Sequence, residues 1–513
     1  MLYKDVQNNK ILQREDRNER KNDHSTTSSP ESFDFVVLGT GLSESILAAV
    51  LAQSKYEVLQ LESSDKYGSS LKTLNYVDFC AEYNQKPNDK LIGLSKEFNI
   101  DYTPKILLAG GLTQACVVNF DLSTILEFIL IPGSYIFKNK LIEIPTSETK
   151  ALRSSIIPFL QMPAVIKFFY QMRKYHQGGE ITLKHTMREQ FKHYGIRDEI
   201  GQMICHSIAL FTDDSYLDMK PEIIYDKMKL YFNSLITNNS EESAFIYPLY
   251  GISDICQSFV RKAAIAGATT RVDCPVSRIV SLKNENVVIY DENIQKNVRR
   301  SLSEVSDLEN NQLGNKLENM TVQQHNTTNN NFEITISPKN QPVEKIHARA
   351  IISTPLYFKK KIDSSPDSFK KIVRVTLIIE GPVPILKKHP SAHIFFLSSG
   401  LGRKNDVFAL VLGHRERVAP KGYKVVLLSY KKEGQGDQPA QKLIHHFGKI
   451  VHSFSREEEI PIKQQSDVPF WYDLQGADES LHIENGIEEI VQMLETLKKD
   501  GFTVTSPFST MKK

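Results

Sequence analysis

Apolar and polar positions follow two different periods along this chain, and each change of period marks an element. Phe33, Phe35, Val36, Val37 and Leu38 form a short continuous apolar run, which predicts a buried strand. Leu42, Ile46, Leu47, Val50 and Leu51 recur at helical spacing, and Gly39 and Gly41 make the turn between strand and helix. A second strand over 56–61 ends in Glu62. The pattern predicts a helix opened by Asp101 and Pro104 and closed by Gly110 and Gly111. Residues 124–144 are rich in β-branched and aromatic side chains and turn at Pro132-Gly133 and Lys138-Asn139, which predicts a short antiparallel meander.

From about 147 to 240 the period is helical throughout. Val165, Phe168, Phe169 and Met172 share one face; Ile200, Met203, Ile204, Ser207, Ile208 and Phe211 form a second stripe. Ile224, Met228, Tyr231 and Leu235 form a third, widened by Tyr225 and Phe232. Most of these side chains read as core, yet small helices with wide apolar faces also suit a groove for an apolar ligand. A helix over 254–267 and strand character over 269–280 follow. Strands are predicted at 332–337 and 348–354, then an antiparallel set at 373–379, 393–397, 407–412 and 423–429. Residues 469–474 hold Trp471, and Ile487, Ile490, Val491, Leu494 and Leu497 form a closing amphipathic helix.

The implied class is α/β: a flavoprotein-type, FAD/NAD(P)-binding-like sheet domain with a second, smaller, all-helical domain. The sheet domain is built from 33–146, 241–282 and 332–500, and the helical domain from 147–240. Residues 1–31 are charged and poor in apolar side chains, 283–331 are dominated by Asn, Glu, Gln and Ser, and 501–513 form a tail. The first two are predicted to be disordered and the last frayed.

A strand feeding a helix through G-x-G opens a dinucleotide-binding unit. Its second glycine lets a pyrophosphate approach the backbone N–H groups at the helix start. The third glycine of that fingerprint is replaced by Glu44, whose carboxylate competes with a phosphate for the same positive helix end. Glu62 stands where an acid binds a ribose hydroxyl, or equally is an acid at a strand end facing water. A flavoprotein also needs a glycine-rich closing segment near its C-terminus, and 484–501 offers only the isolated Gly486 and Gly501. Two parts of an FAD site are therefore defective, and no cofactor is expected.

Composition narrows the function further. With 63 basic and 61 acidic residues the net charge is +2, so no bulk field argues for nucleic acid or an anionic membrane. Cys80, Cys116, Cys205, Cys256 and Cys274 are scattered without metal-binding spacing, which favours a reducing compartment and no zinc site. His176, His185, His193 and His206 offer no metal face and read as neutral packing or surface residues. No G-x-S-x-G elbow, H-E-x-x-H or phosphate-binding P-loop is present. No signal peptide, membrane span or prenylation cysteine is apparent, so a cytoplasmic protein is expected.

Several segments together resemble the Rab GDP-dissociation inhibitor and Rab escort protein superfamily. V-V-L-G-T-G-L-S-E-S-I-L at 36–47 is similar to its opening, in which the third glycine is characteristically glutamate. Lys66-Tyr67-Gly68 resembles its Y-Y-G-G loop, with Ser69 departing from the second glycine. The N-x-D-x-x-P-K segment at 99–105 and the stretch 143–149 also match. So do His206 to Leu210 with D-D-x-Y-L-D at 213–218, and Tyr247-Pro248-Leu249-Tyr250-Gly251. The resemblance implies a non-enzymatic scaffold that binds GDP-bound Rab GTPases in place of FAD. It maps a Rab-binding platform onto Tyr67, Asp254, Gln257, Arg261, Thr269 and Arg271, and shelter for geranylgeranyl lipid onto the helical domain. The divergent K-Y-G-S-S and S-D-I-C-Q segments and the 283–331 insertion are more like an escort protein than an inhibitor. An escort presents Rab to Rab geranylgeranyltransferase and contacts membranes transiently; Tyr231 or Phe232 would then be a transferase-docking aromatic. The alternatives are a GDP-dissociation inhibitor that recycles prenylated Rabs and, in another class, an FAD-dependent oxidoreductase.

Overall fold

The computed structural model describes residues 30–138, 140–147, 150, 157–237, 242–283, 288–291, 330–354, 369–461 and 468–508. The chain opens with β1 (Glu31–Leu38), α1 (Leu42–Gln53) and β2 (Val58–Leu61). Strand β1 begins ahead of its apolar run because pairing is made by the backbone: Glu31 and Ser32 are in register with Ile346 and His347. The predicted tail thus ends before Glu31, and its residues 1–29 lie outside the described residues.

No helix forms where Asp101 and Pro104 predicted one. Ile100–Asp101 and Leu107–Leu108 are short strands, and α2 (Leu112–Asn119) starts only after Gly111. Asp101 is an acceptor for distant groups instead of a helix cap. Its carboxylate takes hydrogen bonds from Thr73 Oγ1 at 2.7 Å, Tyr247 Oη at 2.7 Å and the Ile252 N–H at 3.0 Å. Burial lifts its pKa to about 6 against those bonds. The predicted meander is also divided. Phe128–Leu130 pairs with β5 (Phe245–Pro248), whereas the hairpin of β3 (Gly133–Lys138) and β4 (Lys140–Glu143) joins another sheet. Pro132 therefore marks a change of sheet.

Helices α3 (Met162–His176), α4 (Met187–Tyr194), α5 (Asp198–Ser207) and α6 (Pro221–Thr237) form the helical lobe, with the predicted stripes inward. After β5 come α7 (Ser253–Ile265), β6 (Thr269–Arg271), β7 (Val276–Ser281), β8 (Val288–Asp291), β9 (Phe332–Ile336) and β10 (Glu344–Ser353). Strand β8 corrects the reading of 283–331 as wholly disordered, since it pairs antiparallel with β7. Residues 284–287 and 292–329 lie outside the described residues.

Strands β11 (Phe369–Glu380), β12 (Ala392–Phe396), β13 (Val407–Leu412), β14 (Tyr423–Lys431) and β15 (Lys449–Pro461) follow, then β16 (Trp471–Asp473) and α8 (Glu484–Lys499). Strand β15 was not legible in the sequence: its R-E-E-E run lacks apolar alternation. It is an edge strand whose charges are matched by its neighbour β11, with Arg374 to Glu458 at 2.9 Å and Lys371 to Glu459 at 2.9 Å.

The first sheet runs β6-β2-β1-β10-β9-β7-β8, with β16 also on β10, and it is parallel around β1. The second runs β15-β11-β14-β13-β12-β3-β4. Helices α1, α2, α7 and α8 cover one face of the first sheet. The predicted frayed tail packs there too: Phe502, Val504 and Phe508 are buried, with Phe502 against Phe35 at 4.7 Å between ring centroids. The helical lobe and one face of the second sheet share a continuous apolar core.

Polar contacts also tie these two together, and the most deeply buried corrects the reading of His206 as a neutral packing residue. His206 on α5 is fully buried, with Nδ1 2.7 Å from Asp406 and Nε2 3.2 Å from Asp214. Burial pulls its pKa down, but the hydrogen bonds to Asp214 and Asp406 outweigh that and lift it to about 9. Burial raises Asp406 as well. We assign the imidazolium because each ring nitrogen faces a carboxylate, and a neutral ring would set a lone pair against an anion.

Candidate functional site

The turn after β1 is filled by the protein itself. Gly39 has φ +110°, a conformation only glycine adopts without strain. Gly41 has an ordinary φ, but a Cβ there would lie 2.5 Å from Glu44 Oε2. Its missing side chain makes room for the carboxylate of Glu44, which folds back over the start of α1 where a pyrophosphate would sit. Burial raises the pKa of Glu44 to about 7, with Glu62 and Glu489 adding to the effect. Glu62 is buried and turned inward. Its Oε2 accepts from Thr40 Oγ1 at 2.6 Å, Ser69 Oγ at 2.6 Å and the Thr40 N–H at 3.1 Å. The residual crevice, about 430 Å³, is bordered by four acids, Glu44, Glu62, Glu458 and Glu459, and one cation, Lys72, which is paired with Glu82. These residues do not fit the pyrophosphate of FAD: the Glu44 carboxylate fills its place above Gly41, and Glu62 is saturated by internal hydroxyls.

The raised pKa of Glu44 has a measurable consequence. A carboxyl whose folded pKa exceeds its unfolded value of 4.5 contributes stability below pH 4.5 that is lost as pH rises through about 7. Glu44→Gln is expected to raise the melting temperature at pH 8 and to flatten its fall between pH 5 and 8. Thermal melts at those pH values check this. Part of the slope persists in the variant, because Glu484 is held by burial at about 7 with the same sign.

The predicted platform residues lie on the outer edge of the first sheet. Asp254, Gln257 and Arg261 follow helical spacing on the outward face of α7, with Gln257 and Arg261 exposed and Asp254 half-buried. Thr269 is exposed on edge strand β6, and Tyr67 is half-buried in the loop after Glu62. That loop is pinned at both ends: the Asp273 N–H donates to Ser64 O at 3.0 Å, and the Ser253 N–H donates to Thr73 Oγ1 at 3.1 Å. One rigid frame therefore carries Tyr67, α7 and β6. Arg271 is engaged elsewhere, with its guanidinium bound to Glu31 at 2.6 Å and Glu344 at 2.9 Å, where it fastens three strands.

A second feature lies in the helical lobe. A groove of about 450 Å³ opens between α3 and α5. Val165, Phe169 and Met172 line it from α3, Ile200, Met203, Ile204 and Ser207 from α5, Phe232 from α6, and Ile144 to Ser147 from the entering chain. Sequence reading had most of these in the core stripes. The available signal was the width of the stripe on α3, which extends to Ile166 and Tyr170. Among the described residues no three His, Cys, Asp or Glu side chains converge as a metal site, and no helix is long and apolar enough to cross a membrane.

A profile of the GDP dissociation inhibitor family matches residues 29–308 and 316–506, nearly the whole chain. The chain belongs to that family. A probable secretory pathway GDP dissociation inhibitor of Schizosaccharomyces pombe is 27% identical over 444 residues, covering 84% of this chain and 87% of its own. The Rab GDP-dissociation inhibitor of Saccharomyces cerevisiae is 25% identical over 410 residues, covering 77% and 79%. The crystal structure of a Rab GDI from Plasmodium falciparum shares the fold, with a TM-score of 0.72 at 22% identity over 91% of this chain and 98% of its own. An oxidoreductase from Methanosarcina mazei reaches 0.51 at 12% identity over 90% and 99%, so the architecture is of the FAD/NAD(P)-binding type.

In this GDP dissociation inhibitor family member, two residues of the N-x-D-x-x-P-K segment prove to be internal struts. Asp101 joins three segments, and Lys105 is buried with its ammonium 2.6 Å from Asp478 and 2.7 Å from the Ser480 carbonyl. Of the two aromatics expected to dock a transferase, Tyr231 is placed where it cannot reach a partner. Tyr231 is fully buried, edge-on to Phe245, and Phe232 is partly buried with its ring against Phe169 inside the groove. Tyr231 therefore presents no aromatic to a partner, whereas Phe232 faces the groove.

Proposed function

We propose that the protein is a non-catalytic carrier of GDP-bound Rab GTPases that grips the GTPase on the α7–β6 edge and shelters its geranylgeranyl lipid between α3 and α5. The groove carries this reading: its apolar lining and position among helices suit a flexible hydrocarbon chain. Each buried CH₂ is worth about 0.8 kcal/mol, enough over an isoprenoid to offset withdrawal from a bilayer. The relatives named Rab GDP-dissociation inhibitor in yeast and rat support the same partner. The fill of the nucleotide crevice supports a protein that works without FAD.

The platform is tested by Arg261→Glu. Arg261 is exposed on α7, so the variant is expected to keep its melting temperature while binding unprenylated Rab·GDP at least about tenfold more weakly, as expected of a hot-spot arginine. Unchanged affinity by calorimetry in this variant and in Tyr67→Ala would remove the platform assignment.

The finer role divides into two. Recycling of prenylated Rab is supported by the names of the relatives. An escort role toward Rab geranylgeranyltransferase is supported by the K-Y-G-S-S and S-D-I-C-Q departures and the long insertion. Reconstituted Rab prenylation with and without this chain separates them: stimulation assigns the escort role, and its absence beside tight binding of prenylated Rab assigns recycling.

A further inference from the structure

The helical lobe leaves an apolar surface open to solvent. In the turn leading into α3, Phe159 is 89% exposed and Leu160 80%. Ile166 and Tyr170 continue the patch along α3, at 53% and 55%. Lys167 and Lys174 lie on the same helical face, both exposed. From residue 149 to 179 the sequence has five lysines and arginines and no acidic residue, although the whole chain has 63 basic and 61 acidic residues. Acidic side chains approach only from neighbouring elements. Asp226 of α6 lies 3.8 Å from His176 at the far end of α3, and Glu199 of α5 pairs with Lys138 at 3.4 Å.

We propose that this face docks on an anionic lipid bilayer. Phe159, Leu160, Ile166 and Tyr170 enter the boundary between headgroups and acyl chains, and Lys167 and Lys174 meet the lipid phosphates. Two observations favour a lipid surface over a protein partner. The most exposed pair, Phe159 and Leu160, projects from a turn, a shape that enters a fluid medium more readily than it fills a preformed pocket. The patch is also continuous with the groove, since Met162, Ile166 and Tyr170 line both. An apolar chain leaving the bilayer here enters the groove without crossing water. That route rests on the lipid-carrier reading; the surface itself does not.

The test is sedimentation of the full chain with phosphatidylcholine vesicles, with and without phosphatidylserine. The wild type is expected to partition onto the phosphatidylserine vesicles, and F159S/L160S and K167E each to lower that partition roughly tenfold. All three substitutions are at exposed positions, and melting curves verify that the variants fold. No partition of the wild type, or equal partition of wild type and F159S/L160S, overturns the proposal. So does a double variant that still binds vesicles but loses binding to the purified prenyltransferase, which assigns the patch to a protein partner. A vesicle-free titration with a geranylgeranylated peptide reads the groove separately. Vesicle binding without peptide binding supports the surface and removes the carrier reading.

Discussion

Met203→Trp is expected to weaken binding of geranylgeranylated Rab by about 100-fold, about 2.7 kcal/mol, while leaving binding of the unprenylated GTPase unchanged. Met203 lies on α5 and faces the groove, and is itself only 7% exposed. An indole there occupies volume that the proposed lipid needs. At about 0.8 kcal/mol per buried CH₂, excluding only part of an isoprenoid removes several such increments. The groove has room for the larger side chain, so the destabilisation of a filled core, typically about 1–3 kcal/mol, is largely avoided. The platform on α7 lies in the other lobe, which is why the two affinities separate. Titrations of prenylated and unprenylated Rab·GDP against both proteins measure the effect; equal losses for both ligands would count against a lipid site in the groove.

Asp406→Ala is expected to destabilise the protein by about 3 kcal/mol, the lower end of the cost of breaking a buried charge pair, because Asp214 still faces the ring. Asp406 is fully buried, 2.7 Å from His206 Nδ1, and also accepts the Ser398 N–H at 2.7 Å. Removing it leaves the imidazolium with Asp214 alone, 3.2 Å from Nε2, and Nδ1 without its acceptor. The same pair sets a pH dependence of defined sign. The folded pKa of His206, about 9, exceeds its unfolded value of 6.5. Its stabilisation is therefore complete below pH 6.5 and is lost as pH rises through about 9. Denaturant melts at pH 6 and pH 9 should show a loss in the wild type that is smaller in Asp406→Ala, in which Asp214 alone holds the charge. Glu44 acts at lower pH with the same direction, so a wild-type and Glu44→Gln comparison isolates each contribution.

Much of the fold was legible because it rests on local patterns. The run from Phe33 to Leu51 reads as strand, turn and helix from its own periodicity, and the antiparallel strands from 373 to 429 were found the same way. Failures fell where one residue type serves two purposes. Asp101 has the chemistry of a helix cap, but Thr73, Tyr247 and Ile252 recruit it as a junction. His206 looked like packing until Asp406, 200 residues away, supplied a counter-charge. Strand β15 escaped notice because a charged edge strand is held by backbone pairing and cross-strand ions, which leave no apolar rhythm. Phe502 and Phe508 looked like a frayed end because the core they enter is assembled from distant segments.

For the candidate sites the division is similar. The sequence alone determined that Glu44 replaces a phosphate-binding glycine and that α7 carries Asp254, Gln257 and Arg261 at helical spacing, since both follow from position along the chain. The tertiary structure decided that the Glu44 carboxylate fills the space above Gly41, that Arg271 is spent on Glu31 and Glu344, and that Tyr231 is core while Phe232 faces a groove. An apolar stripe has the same spacing whether two helices close on each other or stand apart. Rings of α4 and α6 hold α3, while Asp406 beside the second sheet holds α5, so only the folded chain could show an opening between them.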